Sequence, residues 1–328
     1  MSKNRIIITF YISGSLKIIG SLRSEAEFEA KTTNHPTTTK PNKEHPMCQL
    51  LGMNCNTPTD IGFSFTGFSK RGGLTDHHTD GFGIGFFEGR GLRLFLDDKP
   101  SAQSPVAELV RNYHIKSENV IAHIRKASQG INSLENTHPF QREMWGGYWL
   151  FAHNGQLRPS FAPDFNGKAY RPVGCTDSEQ AFCYLLNRLR AQFPDRPCPN
   201  TLFDALAELC AEIRQHGMFN FILSDGRVMY AHASTLLYYI TRQPPFGQAH
   251  LIDEDMAIDF AQVTTPNDRV TVITTLPLTD NETWQQFACD ELIMFDHGKL
   301  VRQHHPENPV YLSKEEGLAI ARAAGVSV

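Results

Sequence analysis

The sequence lacks most of what would let a chain gather nucleic acid, cross a membrane or depend on disulfides. Its 328 residues carry 31 Lys and Arg against 35 Asp and Glu, a formal net charge of −4, so no basic excess is present to collect phosphates and nucleic acid is not an expected partner. No apolar run reaches the roughly 20 residues that a membrane-spanning helix needs. The cysteines, at positions 48, 55, 175, 183, 198, 210 and 289, are odd in number and contain no CxxC pair. That pattern does not suit a disulfide framework and points to a reducing, cytoplasmic setting. His77-His78 and His304-His305 have no matching cysteine pairs, so no metal site is expected. The GxxxxGK[ST] loop and the GxSxG elbow are both missing, which removes P-loop and α/β-hydrolase serine chemistry. No cofactor is expected.

What is present is enough apolar material, 41% of residues, to bury a substantial core without staples. Residues 1–47 differ from the rest. Ile6 to Leu22 is apolar and β-prone but broken by Lys17, and Thr32 to Lys43 is a polar Pro and Thr segment with too little apolar content to fold. Residues 1–47 therefore read as a leader or linker, either a removable or mobile extension or sequence upstream of a biological start at Met47. The chemistry of position 48 favours the second.

From Cys48 to residue 328 the pattern describes one domain. Alternating or apolar runs predict strands at Gln49 to Asn54, Phe82 to Glu88, Leu92 to Leu96, Val120 to Ile124, Gly147 to Ala152, Phe219 to Ser224, Val228 to His232, Leu237 to Thr241, Arg269 to Thr274 and Leu292 to Asp296. Ser224-Asp225-Gly226-Arg227 and Asp296-His297-Gly298-Lys299 are hairpin turns, which make their flanking strands antiparallel. Thr176-Asp177-Ser178-Glu179 has the form of a capping box and opens a helix to about Gln192. A second helix runs from about Thr201 to Arg214, and a third begins at Ser313 and ends before Gly325. Antiparallel sheets covered by helices give an α+β architecture.

The polar residues that could carry chemistry stand where strands give way to loops. Gly81-Phe82-Gly83-Ile84-Gly85 lacks dinucleotide-fingerprint spacing and reads as a glycine-softened strand lying near another backbone. Arg125 follows a predicted strand. Its planar fork suits a carboxylate, although an arginine taken alone is as well explained by a structural ion pair. Asn154-Gly155, again at a strand end, offers an amide beside a backbone N–H as donors to an oxyanion, whereas Asn-Gly alone is usually a turn.

Taken together, Met47-Cys48, Asp80-Gly81-Phe82-Gly83, His123-x-Arg125-x-Ala127-Ser128-x-Gly130, Asn136-x-His138-Pro139-Phe140, His153-Asn154-Gly155 and Thr176-Asp177-Ser178-Glu179 occur in the order of class II glutamine amidotransferase domains. The chain resembles that family of N-terminal-nucleophile hydrolases by motif from Cys48 to Phe193, and more diffusely beyond. The resemblance implies the Ntn-hydrolase four-layer αββα sandwich with two stacked antiparallel sheets. It further implies Cys48 as nucleophile, Asn154 and Gly155 as the oxyanion hole, Arg125 on the glutamine α-carboxylate and Asp177 on its α-ammonium group, with Ser128 and His138 also on the substrate-binding side. Lys126 and Gln129 depart from the synthase-fused members and look like the stand-alone bacterial amidotransferase-like proteins.

The chemistry of Cys48 is consistent with this. A thiol has an ordinary pKa of about 8.5 and is mostly protonated at neutral pH, but an α-amino group with a pKa of about 7.7 to 8.0 on the same residue can take its proton. Cys48 must then be the first residue of the mature chain, since an amide nitrogen is no base. The expected reaction is attack on the γ-carboxamide of glutamine, giving a γ-glutamyl thioester and ammonia and then glutamate, the ammonia being either released or passed to a separate ammonia-accepting protein. Two rival readings share these residues: a γ-glutamyl hydrolase acting on a larger amide or peptide, and a non-catalytic glutamine-sensing module.

Overall fold

Alternation of side chains along each strand sorts the residues of this protein into three apolar layers. The computed structural model describes residues 48–126, 132–312 and 314–323, so the leader or linker expected over residues 1–47 lies outside the described residues. In chain order the elements are β1 (Gln49–Asp60), α1 (Gly62–Lys70), β2 (Phe82–Glu88), β3 (Gly91–Asp97), α2 (Pro105–Tyr113), β4 (Lys116–Ile124), β5 (Phe140–Met144), β6 (Gly147–Leu157), α3 (Asp177–Gln192), α4 (Pro199–Ile213), β7 (Gly217–Ser224), β8 (Val228–Ala233), β9 (Tyr238–Arg242), β10 (Gln248–His250), β11 (Ala257–Asp259), β12 (Val270–Thr274), β13 (Gln285–Gln286), β14 (Glu291–Asp296), β15 (Lys299–His304) and α5 (Lys314–Ala323).

One sheet has the order β13-β9-β12-β1-β4-β2-β3 and the other β15-β14-β8-β7-β6-β5, with β10 and β11 forming a separate hairpin. Among the described residues all strand pairings within them are antiparallel. On β1 and β4, Leu51, Met53, Ala122 and Ile124 join Phe65 and Phe68 of α1 and Ala107 and Val110 of α2 in an outer core. On β6 and β7, Phe151, Phe221 and Leu223 pack against Phe182, Leu186 and Leu206 of α3 and α4 in the opposite outer core. The intervening residues Leu50, Ile121, Leu150, Ala152, Ile222, Ile273 and Ile293 fill the layer between the sheets. Successive side chains of the inner strands are buried on opposite faces of their sheet, which gives helix, sheet, sheet, helix, the four-layer αββα sandwich of the Ntn-hydrolases.

Local signals account for much of this. Both hairpin turns are present, with Gly226 at φ 85°, and with His297 and Gly298 at φ 50° and 70°, the left-handed geometry such short connections require. Thr176 caps α3 by accepting the Glu179 N–H at 3.2 Å. The capping box is only half made, because Glu179 turns away to accept the Gly174 N–H at 2.7 Å and to pair with Arg142. A Cβ on Gly83 would collide with the carbonyl of His138, which is the close backbone approach expected of the Gly81–Gly85 run. The second helix starts two residues earlier than Thr201 because Pro199 supplies its first turn. Ser313 and Gly325, which bound the third predicted helix, lie outside the described residues.

Candidate functional site

Cys48 stands immediately before β1, and Arg125 immediately after β4. Because Gln49 pairs with Ile124, these two residues are neighbours across the sheet. By alternation with Leu50 and Ile121, whose side chains fill the layer between the sheets, Cys48 and Arg125 belong to the faces turned toward that layer. Asn154 belongs to the same layer from the other sheet, two residues beyond Ala152. Thr275 follows β12, where Thr274 pairs with Leu51, and completes the group. The faces that are aliphatic in the middle of the layer thus become polar at one end of it.

Cys48 is tied to the residue after Arg125 by both of its hydrogen-bonding options. Its Sγ lies 3.3 Å from the Lys126 carbonyl oxygen, which the thiol can donate to, and receives the Lys126 N–H at 3.1 Å. Burial pushes the Cys48 thiol up to about 11, opposed by the Lys126 amide and by the positive charge of Arg125. A thiol in this position stays protonated at neutral pH unless a base removes its proton.

Arg125 is 3% exposed. Its Nη1 donates to Asn132 Oδ1 at 3.3 Å, and its backbone continues the ladder through a 2.8 Å bond from its N–H to the Gly81 carbonyl. Asp177, at the first turn of α3, accepts the Leu157 N–H at 2.7 Å and Gln156 Nε2 at 3.2 Å through Oδ2, and the Ser178 N–H at 2.9 Å through Oδ1. Its carboxylate is therefore aimed by donors from β6 while keeping lone pairs for a further cation.

Asn154, 1% exposed, links the two sheets. Nδ2 lies 3.1 Å from Thr275 Oγ1, which also accepts the Leu50 N–H at 2.9 Å. The Asn154 carbonyl receives Asn220 Nδ2 at 2.7 Å. At Gly155, a Cβ would strike the Met218 carbonyl oxygen and His153 Nε2, so no other residue fits. Gly155 pairs with Phe219, whose own N–H goes to Ser234 Oγ at 2.7 Å and whose carbonyl receives His232 Nδ1 at 2.6 Å, both from the opposite side. Gly155 is thus in a non-hydrogen-bonded pair, and its N–H points away from β7, to the side on which the Leu157 N–H meets Asp177.

The histidines divide into two kinds. His153 turns toward the helices, with Nδ1 at 2.8 Å from Ser178 Oγ and Nε2 at 3.1 Å from the Met218 carbonyl. A carbonyl only accepts, so Nε2 carries the proton and the ring pins the start of α3 beside Asp177. His138 lies against His123 and Phe140 with its ring tilted to both, at ring-centroid distances of 4.2 and 4.4 Å. Burial, followed by the neighbouring histidine and Arg125 charges, holds the His123 and His138 imidazoles neutral, well below their ordinary range.

Of the sequence-derived candidates, Cys48, Arg125, Asn154, Gly155, Asp177 and His138 therefore gather at one end of the layer, and Ser128 lies outside the described residues. Thr275 and Gln156, which no motif marks, join them, as does Asn220 from the more diffuse part of the resemblance. Among the described residues no group of three His, Cys, Asp or Glu could hold a metal ion, and no helix is long and apolar enough to cross a membrane.

Two stacked antiparallel sheets covered by helices are the layers of the Ntn-type fold. They match those of glutamine phosphoribosylpyrophosphate amidotransferase from B. subtilis at a TM-score of 0.52 and 13% identity, over 80% of this chain and 50% of that one, a likeness of fold alone. The chain belongs to the family described as Glutamine amidotransferases class-II, which matches residues 47–317. Similar proteins include YafJ of Escherichia coli, 54% identical over 256 residues that span 78% of this chain and 100% of the relative. The crystal structure of a predicted glutamine amidotransferase from Pseudomonas aeruginosa is 44% identical with a TM-score of 0.62, over 78% of this chain and all of that one.

Proposed function

We propose that this protein hydrolyses the γ-carboxamide of glutamine through a covalent Cys48 intermediate, and that its mature form begins at Cys48. The observation that carries the reading is the juxtaposition of the Cys48 thiol, hydrogen-bonded at 3.1 Å by Lys126 N–H, with the buried Arg125 at paired strand ends. The family match, beginning at Met47, supports the same boundary.

Arg125 receives the α-carboxylate and Asp177 the α-ammonium group, so the amino-acid end is fixed by charge and the distal amide is delivered to the thiol. The α-amine of Cys48 takes the thiol proton, and sulfur adds to the γ-carbonyl carbon. Negative charge on the carbonyl oxygen is met by the Asn154 carboxamide and the Gly155 N–H. Collapse breaks the C–N bond, the α-ammonium returns its proton to the leaving nitrogen, and ammonia departs. Water, deprotonated by the same amine, then cleaves the thioester to glutamate. The ammonia is released or handed to an accepting protein.

Protein whose intact mass shows Cys48 at its terminus is the material for the test, assayed against free glutamine and a panel of γ-glutamyl amides and peptides. Glutamate and ammonia formed one to one from glutamine are expected. Cleavage restricted to the larger compounds would replace this reading with a γ-glutamyl hydrolase, and binding without turnover would replace it with a glutamine-sensing module.

A further inference from the structure

The two ends of a carboxamide are nearly the same shape, so hydrogen bonds rather than packing choose which way Asn154 faces. With Nδ2 directed at Thr275 Oγ1, the buried Oδ1 of Asn154 has no hydrogen-bond partner among the described residues. The Thr275 hydroxyl, already accepting the Leu50 N–H, then has no acceptor for its own proton. Turning the amide by half a turn gives the Thr275 proton an acceptor and leaves the one open position to a donor instead of an acceptor. The Thr275 O–H donates to Asn154 Oδ1 while Oγ1 still accepts from Leu50, and Nδ2 takes the position with no protein partner. A donor left waiting is what an oxyanion requires, whereas a carbonyl oxygen there would repel it.

We propose that Thr275 is a positioning residue whose hydroxyl holds the Asn154 carboxamide with Nδ2 turned to the reaction centre. The inference rests on the hydrolytic reading for its kinetic consequence, though the orientation itself does not depend on the substrate. Thr275 is suited to the task because its backbone N–H also bonds the Leu50 carbonyl at 3.2 Å, so the strand that presents Cys48 fixes it at two points. The following residues are held as well. Buried Arg71 donates to the Leu276 carbonyl at 3.0 Å and the Pro277 carbonyl at 2.6 Å, and to Gln49 Oε1 at 3.3 Å.

The test combines neutron diffraction of the whole protein with kinetics of Thr275→Val, which keeps the branched shape and removes the hydroxyl, and of Thr275→Ser, which restores it. The expected neutron map shows one deuteron between Thr275 Oγ1 and Asn154 Oδ1, and both Nδ2 deuterons directed elsewhere. A Nδ2 deuteron directed at Thr275 Oγ1 overturns the proposal whatever the kinetics show. Thr275→Val is expected to lower kcat for glutamine about 10- to 100-fold, within the range for a misplaced oxyanion donor, with KM changed less than about twofold and with kcat recovered in Thr275→Ser. Combined with Asn154→Ala, it should cost nothing more, because both changes remove one effect. An unchanged kcat, or a loss that multiplies with that of Asn154→Ala, overturns the proposal. If wild-type protein fails to hydrolyse glutamine, the hydrolytic reading falls and the neutron map alone decides this one.

Discussion

At the end of the inter-sheet layer far from Cys48, the inward positions are also polar, and their hydrogen bonds are complete. Asn54 Nδ2 donates to Asn119 Oδ1 at 2.9 Å, Gly298 N–H to Asn54 Oδ1 at 2.7 Å, and Asn119 Nδ2 to the Gly226 carbonyl at 3.0 Å. Ser224 Oγ meets the Val228 carbonyl at 2.9 Å and Thr271 Oγ1 the Gly298 carbonyl at 3.0 Å. At the Cys48 end, by contrast, Asn154 Oδ1 and both ring nitrogens of His138 are buried without a hydrogen-bond partner among the described residues. Buried polar atoms are nearly always satisfied by the protein or by bound solvent. A closed network ties two hairpin turns to the sheets, and its work is structural. Open valences concentrated around a nucleophile are what remain when a ligand is to supply the missing half of the bonds.

The sharpest way to break this comparison is to exchange cysteines along β1. Cys48→Ala should abolish turnover with little change in Tm, and a glutamine-like diazoketone should alkylate one thiol per chain, at Cys48, unless glutamine protects it. Cys55→Ala, seven residues along, should leave kcat intact, because its thiol is packed in the outer core. Labelling at another cysteine, or turnover by Cys48→Ala, would remove the catalytic role from this end.

Next in size is the substrate grip. Arg125→Ala should raise KM for glutamine by the equivalent of about 2 to 5 kcal/mol, the usual consequence of removing one partner of a buried charge pair. Asp177→Asn should act in the same direction through the α-ammonium group. Wild-type KM in both variants would reduce these residues to scaffolding.

Two asparagines then set the ends directly against each other. Asn154→Ala should lower kcat by about 10²- to 10³-fold, the cost of one oxyanion donor, with a modest effect on urea unfolding. Asn119→Ala should do the reverse. It leaves Asn54 Nδ2 and the Gly226 carbonyl without their partner, which costs about 1 to 3 kcal/mol of stability, while kcat is unchanged. Equal kinetic effects of the two would erase the distinction.

The smallest effect is in pH. Burial holds His232 down from an ordinary 6.5 to about 4 in the folded protein, against the raising influence of its bond to the Phe219 carbonyl. The unfolded chain therefore takes up the proton first as pH falls. The stability contribution is complete above about pH 6.5 and is lost progressively toward pH 4. Chemical unfolding measured between about pH 6 and pH 5 should show His232→Asn reducing the slope by up to about 1.4 kcal/mol per pH unit, one proton's worth.

Much of the fold was legible because burial on both faces of a sheet makes its inner strands continuous apolar runs, as at Leu50, Leu51 and Met53 of β1. Elements with weaker local signals were not. Gly62–Lys70 is glycine- and phenylalanine-rich and becomes α1 through burial of Phe65 and Phe68 rather than propensity. The edge strands β5 and β15 are short and largely polar, so no alternation marks them. α2 did carry a signal, Ser104 before Pro105, and Ser104 Oγ accepts the N–H groups of Val106 and Ala107. In the site, residues standing in motifs could be named, but Thr275 could not. A threonine after a strand has no signature, and only the pairing of Thr274 with Leu51 brings it to Asn154.

The proposed mechanism needs the free amine of Cys48 as the base for a thiol that burial raises to about 11. The direct measurement compares glutamate formation by chains whose intact mass shows Cys48 at the N-terminus with chains that retain the Met47-Cys48 peptide bond. Turnover confined to the first population is predicted, and full turnover by the second would contradict the mechanism.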